Sequence, residues 1–298
     1  MTASSHLESI ATPNRAGDNH LLLGLIGASI GQSRSPAQHE GEARAQGLTC
    51  IYRLIDLDEL KLGPADLPDL LMAAQRLGFA GVNITFPCKQ AVIPHLDELS
   101  QHAQALGAVN TVVFKDGRRI GHNTDWSGYA GAFRAALPTA TGDRIVLFGG
   151  GGAGAAVAYA HLMVGCGDLV LVETDAVRAR SLLHQMEAQF GSGRMRVSTD
   201  PQADVAAAGG IVNATPVGMA KYPGMPLPVA WLRPEQWVSD IIYFPLETEL
   251  LASARKLGCR TIDGSGMNIR QAAEAFHHFS GREPDVSRMR LLFDAAGA

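Results

Sequence analysis

The chain has 298 residues, room for about two domains of ~150 residues each, and it is 46% hydrophobic and 18% charged, which excludes extensive disorder. Lys and Arg number 25 against 29 Asp and Glu, a formal net charge of −4; no basic stripe forms, so no nucleic-acid partner is expected. Cys50, Cys88, Cys166 and Cys259 make no C-x-x-C pair and no metal-ligand spacing, which points to no metal and to a reducing, cytoplasmic setting.

Residues 1–20 lack the basic start and apolar core of a secretory leader and read as a flexible polar arm. Leu21–Gly27 reads as the first strand, and Ser35-Pro36 as a helix start, with Ser35 the N-cap and Pro36 the first helical residue. A second strand is expected over Thr49–Leu57, a helix over 66–77 and a third strand over Gly78–Thr85. Thr111–Phe114 and the stretch around Ile120 read as a hairpin turning at Asp116-Gly117, with Arg118 and Arg119 solvating the turn. From Asp143 a second α/β unit begins, with strands near 145–149, 169–173, 211–213 and 237–242. A helix from Met267 to Phe279 carries apolar Ile269, Ala272, Ala273 and Phe276 on one face. This alternation predicts two α/β domains: a substrate-binding domain over 21–125, completed by 266–298, and a dinucleotide-binding domain over 126–265, with the active site in the cleft between them.

Residues 145–167 contain no Asp, Glu, Lys or Arg, but seven of them are glycine, so they read as strand, turn and helix rather than a membrane span. Gly149, Gly151 and Gly154 satisfy G-x-G-x-x-G in that context, the signature of a Rossmann-like dinucleotide site. Glycine there permits a tight turn, close approach of N–H groups to a pyrophosphate, and close helix–strand packing. Gly152 and Ala153 open the following helix, whose N-terminus favours phosphate. Glu173 ends the next strand, 24 positions after Gly149. A carboxylate there accepts from a ribose 2′-OH and repels a 2′-phosphate, so NAD is expected over NADP. Arg178 and Arg180 read as solvated helix residues.

Three polar clusters end strands or turns, Ser33 to Pro36, Asn83 to Lys89 and Gly107 to Thr111, and a fourth, Gly121 to Asp125, lies at the domain junction. Ligands of open α/β sheets bind beyond such strand ends, and these hydroxyl and amide groups suit a small polyhydroxylated or carboxylated substrate. Taken singly, Ser35 reads equally as a helix cap and Asn110 as a turn residue. Lys89 and Asp125 are the candidate catalytic pair, because oxidising an alcohol must be coupled to loss of its hydroxyl proton. His122 is a rival base that reads better as a structural histidine, and Cys88 reads as a packing residue. The sequons at Asn83 and Asn213 carry little meaning without a secretory leader.

S-R-S-P, N-I-T-F-P-C-K, L-G-A-V-N-T, N-T-D, the glycine loop, N-A-T-P-V-G-M (Asn213 to Met219), Asp240 to Tyr243 and D-G-S-G-M-N-I-R-Q-A (Asp263 to Ala272) stand in one order from Leu22 to Arg290. In that order they resemble the shikimate dehydrogenase family. V-E-T-D and the tail E-P-D-V-S-R-M-R resemble its NAD-using quinate/shikimate subgroup. The resemblance implies an oxidoreductase interconverting shikimate and 3-dehydroshikimate, with quinate or aminoshikimate as alternative substrates. It implies that Lys89 and Asp125 form the catalytic dyad and that Ser33 and Ser35 bind the substrate carboxylate. Thr85, Asn110 and Gln271 would bind ring hydroxyls, with Asn83 and Tyr243 nearby. Asn213, Ala214, Thr215 and Gly264 would line the cofactor cleft, with Met267 near the nicotinamide. Two departures stand out: Trp126 follows the N-T-D aspartate where the family often has Gly or Val, and Ser35 stands where some quinate-using members carry Thr, which leans toward shikimate. The competing reading is a noncatalytic NAD(H)-sensing module, which would not need the Lys89–Asp125 pair. A monomer or homodimer without membrane contact is expected.

Overall fold

Two six-stranded sheets organise the chain in a computed structural model that describes residues 19–140 and 142–297. The expected polar arm lies outside the described residues except for Asn19 and for His20, which already starts the first strand. The first sheet is built from β1 (His20–Gly27), β2 (Thr49–Asp56), β3 (Gly81–Ile84), β4 (Glu98–Leu99), β5 (Thr111–Lys115) and β6 (Arg118–His122), in the order β2-β1-β3-β5-β6-β4. β1 runs parallel to β2 and β3, whereas β5 is antiparallel to both β3 and β6. The β5–β6 hairpin turns at Asp116 and Gly117, both at positive φ (50° and 75°), as a two-residue turn of this hand requires.

The second sheet contains β7 (Ile145–Phe148), β8 (Leu169–Val172), β9 (Met195–Val197), β10 (Gly210–Asn213), β11 (Trp237–Asp240) and β12 (Arg260–Ile262). All its pairings are parallel, in the order β12-β11-β10-β7-β8-β9. This is the doubly wound arrangement whose direction of winding reverses between β7 and β10, where such sheets place ligands. β7 and β10 are buried along their whole length, so their apolar runs show no alternation.

Helix Ser265–Ser280 leaves the second sheet and carries Phe276 and Phe279 into the core beneath β1 and β2. On the way it crosses helix Asp125–Ala136 closely. A Cβ on Gly128 would lie 2.8 Å from Gln271 N and 2.9 Å from Met267 O, and one on Gly266 would lie 3.0 Å from the Ala132 methyl.

Several expectations shift. Ser35 is not an N-cap: Arg34 holds that position without a side-chain bond, Ser35 is the first helical residue, and Ser33 Oγ accepts its N–H at 3.3 Å. Pro36 is therefore the second helical residue. The third strand begins at Gly81, because Gly78 (φ 82°) is still in the turn after helix Leu67–Arg76. β11 ends at Asp240, whose carboxylate takes the Ile242 N–H. Arg119 is anchored rather than solvated, donating to Gln75 Oε1 at 3.0 Å. The tail adds a second helix, Val286–Ala295, capped by Asp285. Arg288 on it ion-pairs at 2.7 Å with Glu42, which is fully buried. The expected boundary at 125/126 falls within the first turn of helix Asp125–Ala136.

Candidate active site

Hydrogen bonds join three of the four polar clusters, and the two serines stand close to their end. Ser33 Oγ lies 3.2 Å from Ser35 Oγ, and the Ser35 side chain stands near the deeply buried Tyr52 phenol. Tyr52 donates to Asn83 Oδ1 at 2.8 Å, and Asn83 Nδ2 donates to Asn110 O at 3.2 Å and Thr111 Oγ1 at 3.0 Å. Asn110 Nδ2 reaches Asp125 Oδ1 and Thr124 Oγ1, both at 3.0 Å, and Gln271 Oε1 at 3.4 Å. Asp125 Oδ2 then accepts from Lys89 Nζ at 2.6 Å. Residues read separately along 189 positions of sequence, from Asn83 to Gln271, thus share one network.

Asp125 sits in the first turn of its helix, where the helix dipole favours negative charge. Its side chain is 8% exposed and that of Lys89 is 23% exposed, so the pair is partly desolvated yet reachable. At Tyr243, burial pushes the phenol up, while the charges of Lys89 and Arg34 draw it back against the opposing push of Asp125. Arg34 is held there by Phe293 of the last helix, with its guanidinium 4.2 Å above the ring. Thr85, between β3 and the Lys89 turn, is half-buried, and its methyl fills the space a Gly27 side chain would need.

His122 is not placed as a base. It stacks on His278 at 4.1 Å, and burial and then His278 take its pKa down to about 4 against the opposing pull of Glu274. Cys88 is fully buried, and burial pushes its thiol up, as for a packing residue. Among the described residues, no group of three or more His, Cys, Asp or Glu is arranged to hold a metal, and no helix is long and apolar enough to cross a membrane.

At the winding switch of the second sheet, Gly149 leaves β7 at φ +94°, and a Cβ there would lie 2.9 Å from the Ala214 carbonyl group beyond β10. Gly154 packs against the Gly149 carbonyl so tightly that no Cβ fits. Gly151 and Gly152 instead face open space at the start of the 13-residue helix Gly152–Val164, with Ala153 beside them. Two glycines locked by backbone and two facing outward form a cradle that fits a pyrophosphate.

Glu173 has a side chain only 5% exposed. It accepts from Gly150 N at 2.8 Å and Asp175 N at 2.9 Å. Burial alone would raise its pKa, but the N–H groups of Asp175 and Gly150 and the charge of Arg178 outweigh it and hold the carboxyl below its usual range. Arg178 is thus not simply solvated: its guanidinium lies 3.4 Å from Glu173 and 3.4 Å from Asp175. Asn213 lies beneath the cleft rather than lining it. It is fully buried, bonded to Val217 O, Asp240 and Thr215, and so shapes the Ala214-Thr215 turn from below. Gly264 must be glycine because the Ile241 carbonyl occupies its Cβ position, and Met267, one turn on, packs on the core beneath the glycine-loop helix. Sequence reasoning does not single out Tyr52, Asn123 or Thr124, and it leaves Arg178 in solvent. Asn123 accepts the Asp125 N–H at 3.1 Å, and Thr124 bonds Asn110 and the Gln271 carbonyl. The N-T-D run is the sequence signal for both.

Residues 25–112 match the family described as shikimate dehydrogenase substrate binding domain. The chain is 53% identical over 277 residues to a shikimate dehydrogenase (NADP(+)) of Streptomyces avermitilis, covering 92% of this chain and 94% of that one. It is 47% identical over 280 residues to a quinate/shikimate dehydrogenase (NAD(+)) of Corynebacterium efficiens, covering 92% and 99%. Among solved structures it is similar to quinate dehydrogenase from Corynebacterium glutamicum in complex with NAD, with TM-score 0.89 and 47% identity over 93% of this chain and 99% of that one.

Proposed function

The chain belongs to the shikimate dehydrogenase family, and from that premise we propose that it oxidises shikimate to 3-dehydroshikimate reversibly, accepts quinate as well, and prefers NAD. The observation that carries the reading is the Lys89–Asp125 pair at 2.6 Å, tied through Asn110 to Gln271 and through Asn83 to Tyr52, near which the two serines stand. Ser33 and Ser35 hold the substrate carboxylate with their hydroxyls and the nearby Arg34 charge. Gln271 and Thr85 take the ring hydroxyls, with Asn110 fixing Gln271 from behind. Lys89 Nζ contacts the hydroxyl that is oxidised. As the carbon–oxygen double bond forms, the hydroxyl proton passes to the Lys89–Asp125 pair and from there to water. Asp125 holds the Lys89 side chain on target and takes a proton from Nζ as Nζ takes the hydroxyl proton, and Asn110 and Asn123 hold Asp125. A dinucleotide on the glycine cradle supplies the two-electron oxidant.

The cofactor preference rests on Glu173. Two like charges 4 Å apart repel by about 4 kcal/mol at an effective dielectric constant of 20, so a 2′-phosphate beside this carboxylate is strongly disfavoured. A second reading, that NADP is used too, is favoured by Arg178, which lies over Glu173 and can turn to a phosphate, and by the NADP-named relative. Initial rates with shikimate and with quinate, each with NAD and with NADP, test all of this together. Glu173→Gln keeps one acceptor for the loop N–H groups but removes the charge. It is expected to raise the NADP-to-NAD ratio of kcat/KM at least about tenfold. An unchanged ratio refutes the Glu173 argument, and a wild-type preference for NADP selects the second reading.

A further inference from the structure

Trp126 follows Asp125 in the first turn of helix Asp125–Ala136, and its indole belongs to a closed triangle of rings. Its centroid lies 4.4 Å from that of His102 and 5.5 Å from that of Tyr159, with the tyrosine edge-on at 78°. His102 Nδ1 and the Tyr159 hydroxyl close the third side at 2.9 Å. Tyr159 also packs edge-on against Phe190 at 5.1 Å.

The three residues come from three parts of the molecule. His102 is on helix Gln101–Leu106, between β4 and β5 of the first sheet, and Trp126 is on the helix that carries Asp125. Tyr159 is two turns along the helix that opens at the glycine cradle, and Phe190 ends the helix that starts just after Glu173. A hydrogen bond from Gln185 Nε2 to Ala105 O, 2.9 Å, braces the same contact. Edge-on aromatic pairs are directional, so this triangle constrains angle as well as distance.

We infer that Trp126, with His102 and Tyr159, is a positioning residue: the triangle fixes the glycine-loop helix against the first turn bearing Asp125, and so sets the dinucleotide relative to the Lys89–Asp125 pair. The inference rests on the function proposed above. Hydride transfer tolerates little misplacement of the reacting atoms, and a rigid contact between the two helices meets that requirement without touching substrate or cofactor.

The test uses the full chain with Trp126→Leu, Trp126→Phe and Tyr159→Phe. Trp126→Leu is expected to lower kcat about tenfold or more, with the NAD dissociation constant, measured by titration, within about twofold of wild type. Trp126→Phe, which keeps an aromatic face, should recover most of that loss. Wild-type kcat in Trp126→Leu overturns the inference. So does a loss that Phe does not rescue, which would make the indole a matter of stability alone. If Trp126→Leu does not fold, Tyr159→Phe decides: it keeps the rings but removes the bond to His102, and an unchanged kcat overturns the inference. Amide exchange separates this inference from the function itself. NAD is expected to slow exchange in helix Asp125–Ala136 of the wild type but not of the Leu variant, or the Tyr159→Phe variant if that one is needed, whether or not shikimate or quinate is turned over. No turnover by the wild type refutes the proposed function. An NAD effect that is absent from the wild type, or equal in both proteins, refutes the positioning role.

Discussion

Gly154→Ala tests whether the cradle holds a dinucleotide. The new methyl would fall well inside van der Waals contact distance of the Gly149 carbonyl oxygen. Both partners are backbone, so no side chain can swing away, and the start of helix Gly152–Val164 must withdraw by roughly 1 Å to restore contact. Such a retreat carries an N–H···O bond of ~2.9 Å out of hydrogen-bond range. A hydrogen bond to a charged group contributes about 1.5–3 kcal/mol. Losing one such bond to the phosphates, with a second partly weakened, costs about 2–3 kcal/mol, or roughly 30- to 150-fold in affinity for NAD. Gly151→Ala is the comparison. Nothing lies within 4 Å of its Cβ, and its backbone (φ −72°, ψ −171°) suits any residue. Its melting temperature should stay at the wild-type value while its methyl stands on the face where the phosphates dock, so it too should bind NAD less tightly. Calorimetric titration with NAD, alongside thermal unfolding, measures both. If Gly154→Ala binds NAD within about threefold of wild type, the helix N-terminus is not where the phosphates sit. Intact binding by Gly151→Ala would show that its open face is not used.

Two further outcomes follow from the site and the core. Lys89→Ala and Asp125→Asn should each lower kcat/KM by about 10²- to 10⁴-fold while leaving NAD affinity nearly unchanged; comparable losses in NAD binding would place the pair in cofactor binding instead. His39 and His161 are almost fully buried, and burial takes both from 6.5 to about 3. Between those values the unfolded chain takes up protons that the folded chain refuses, so stability falls as the pH drops below 6.5. The loss is about 2 kcal/mol per histidine at pH 5. Urea unfolding at pH 7 and pH 5 reads it, and coincident midpoints would refute the burial argument.

The central strands were legible because full burial imposes uninterrupted apolar runs, as in Ile145–Phe148 and Leu169–Val172. Short, partly exposed β4, β9 and β12 carry two or three residues each and leave no such trace. Lys89 and Asp125 could be singled out because each ends a strand-and-turn segment with polar neighbours, and their separation of 36 positions does not matter once the sheet forms. The Tyr52–Asn83 bond could not be read, because it depends on β2 and β3 flanking β1. Arg178 reads as an ordinary helix residue until Asp175 caps that helix and turns its first exposed positions back toward Glu173. Ser35 was misread by one position because Ser33, not Ser35, supplies the oxygen at that helix start.

The crossing of helices Asp125–Ala136 and Ser265–Ser280 explains how one site draws on both ends of the chain. Gln271 arrives after the second sheet is complete, yet it must reach Asn110 and Thr124 of the first. Its helix is committed to that side by Phe276 and Phe279, whose burial under β1 and β2 fixes where the helix lies. Being fixed there, it has to pass helix Asp125–Ala136 at backbone contact, and Gly128 and Gly266 remove the two Cβ atoms that would hold the helices apart. Close passage lets the Thr124 hydroxyl reach the Gln271 carbonyl at 3.1 Å, so Gln271 and Asp125 sit on adjoining turns of two helices locked together. The glycines of the crossing therefore shape the candidate site as much as those of the loop: the loop glycines leave open space at a helix start, and the crossing glycines let Gln271 reach Asn110 and Thr124.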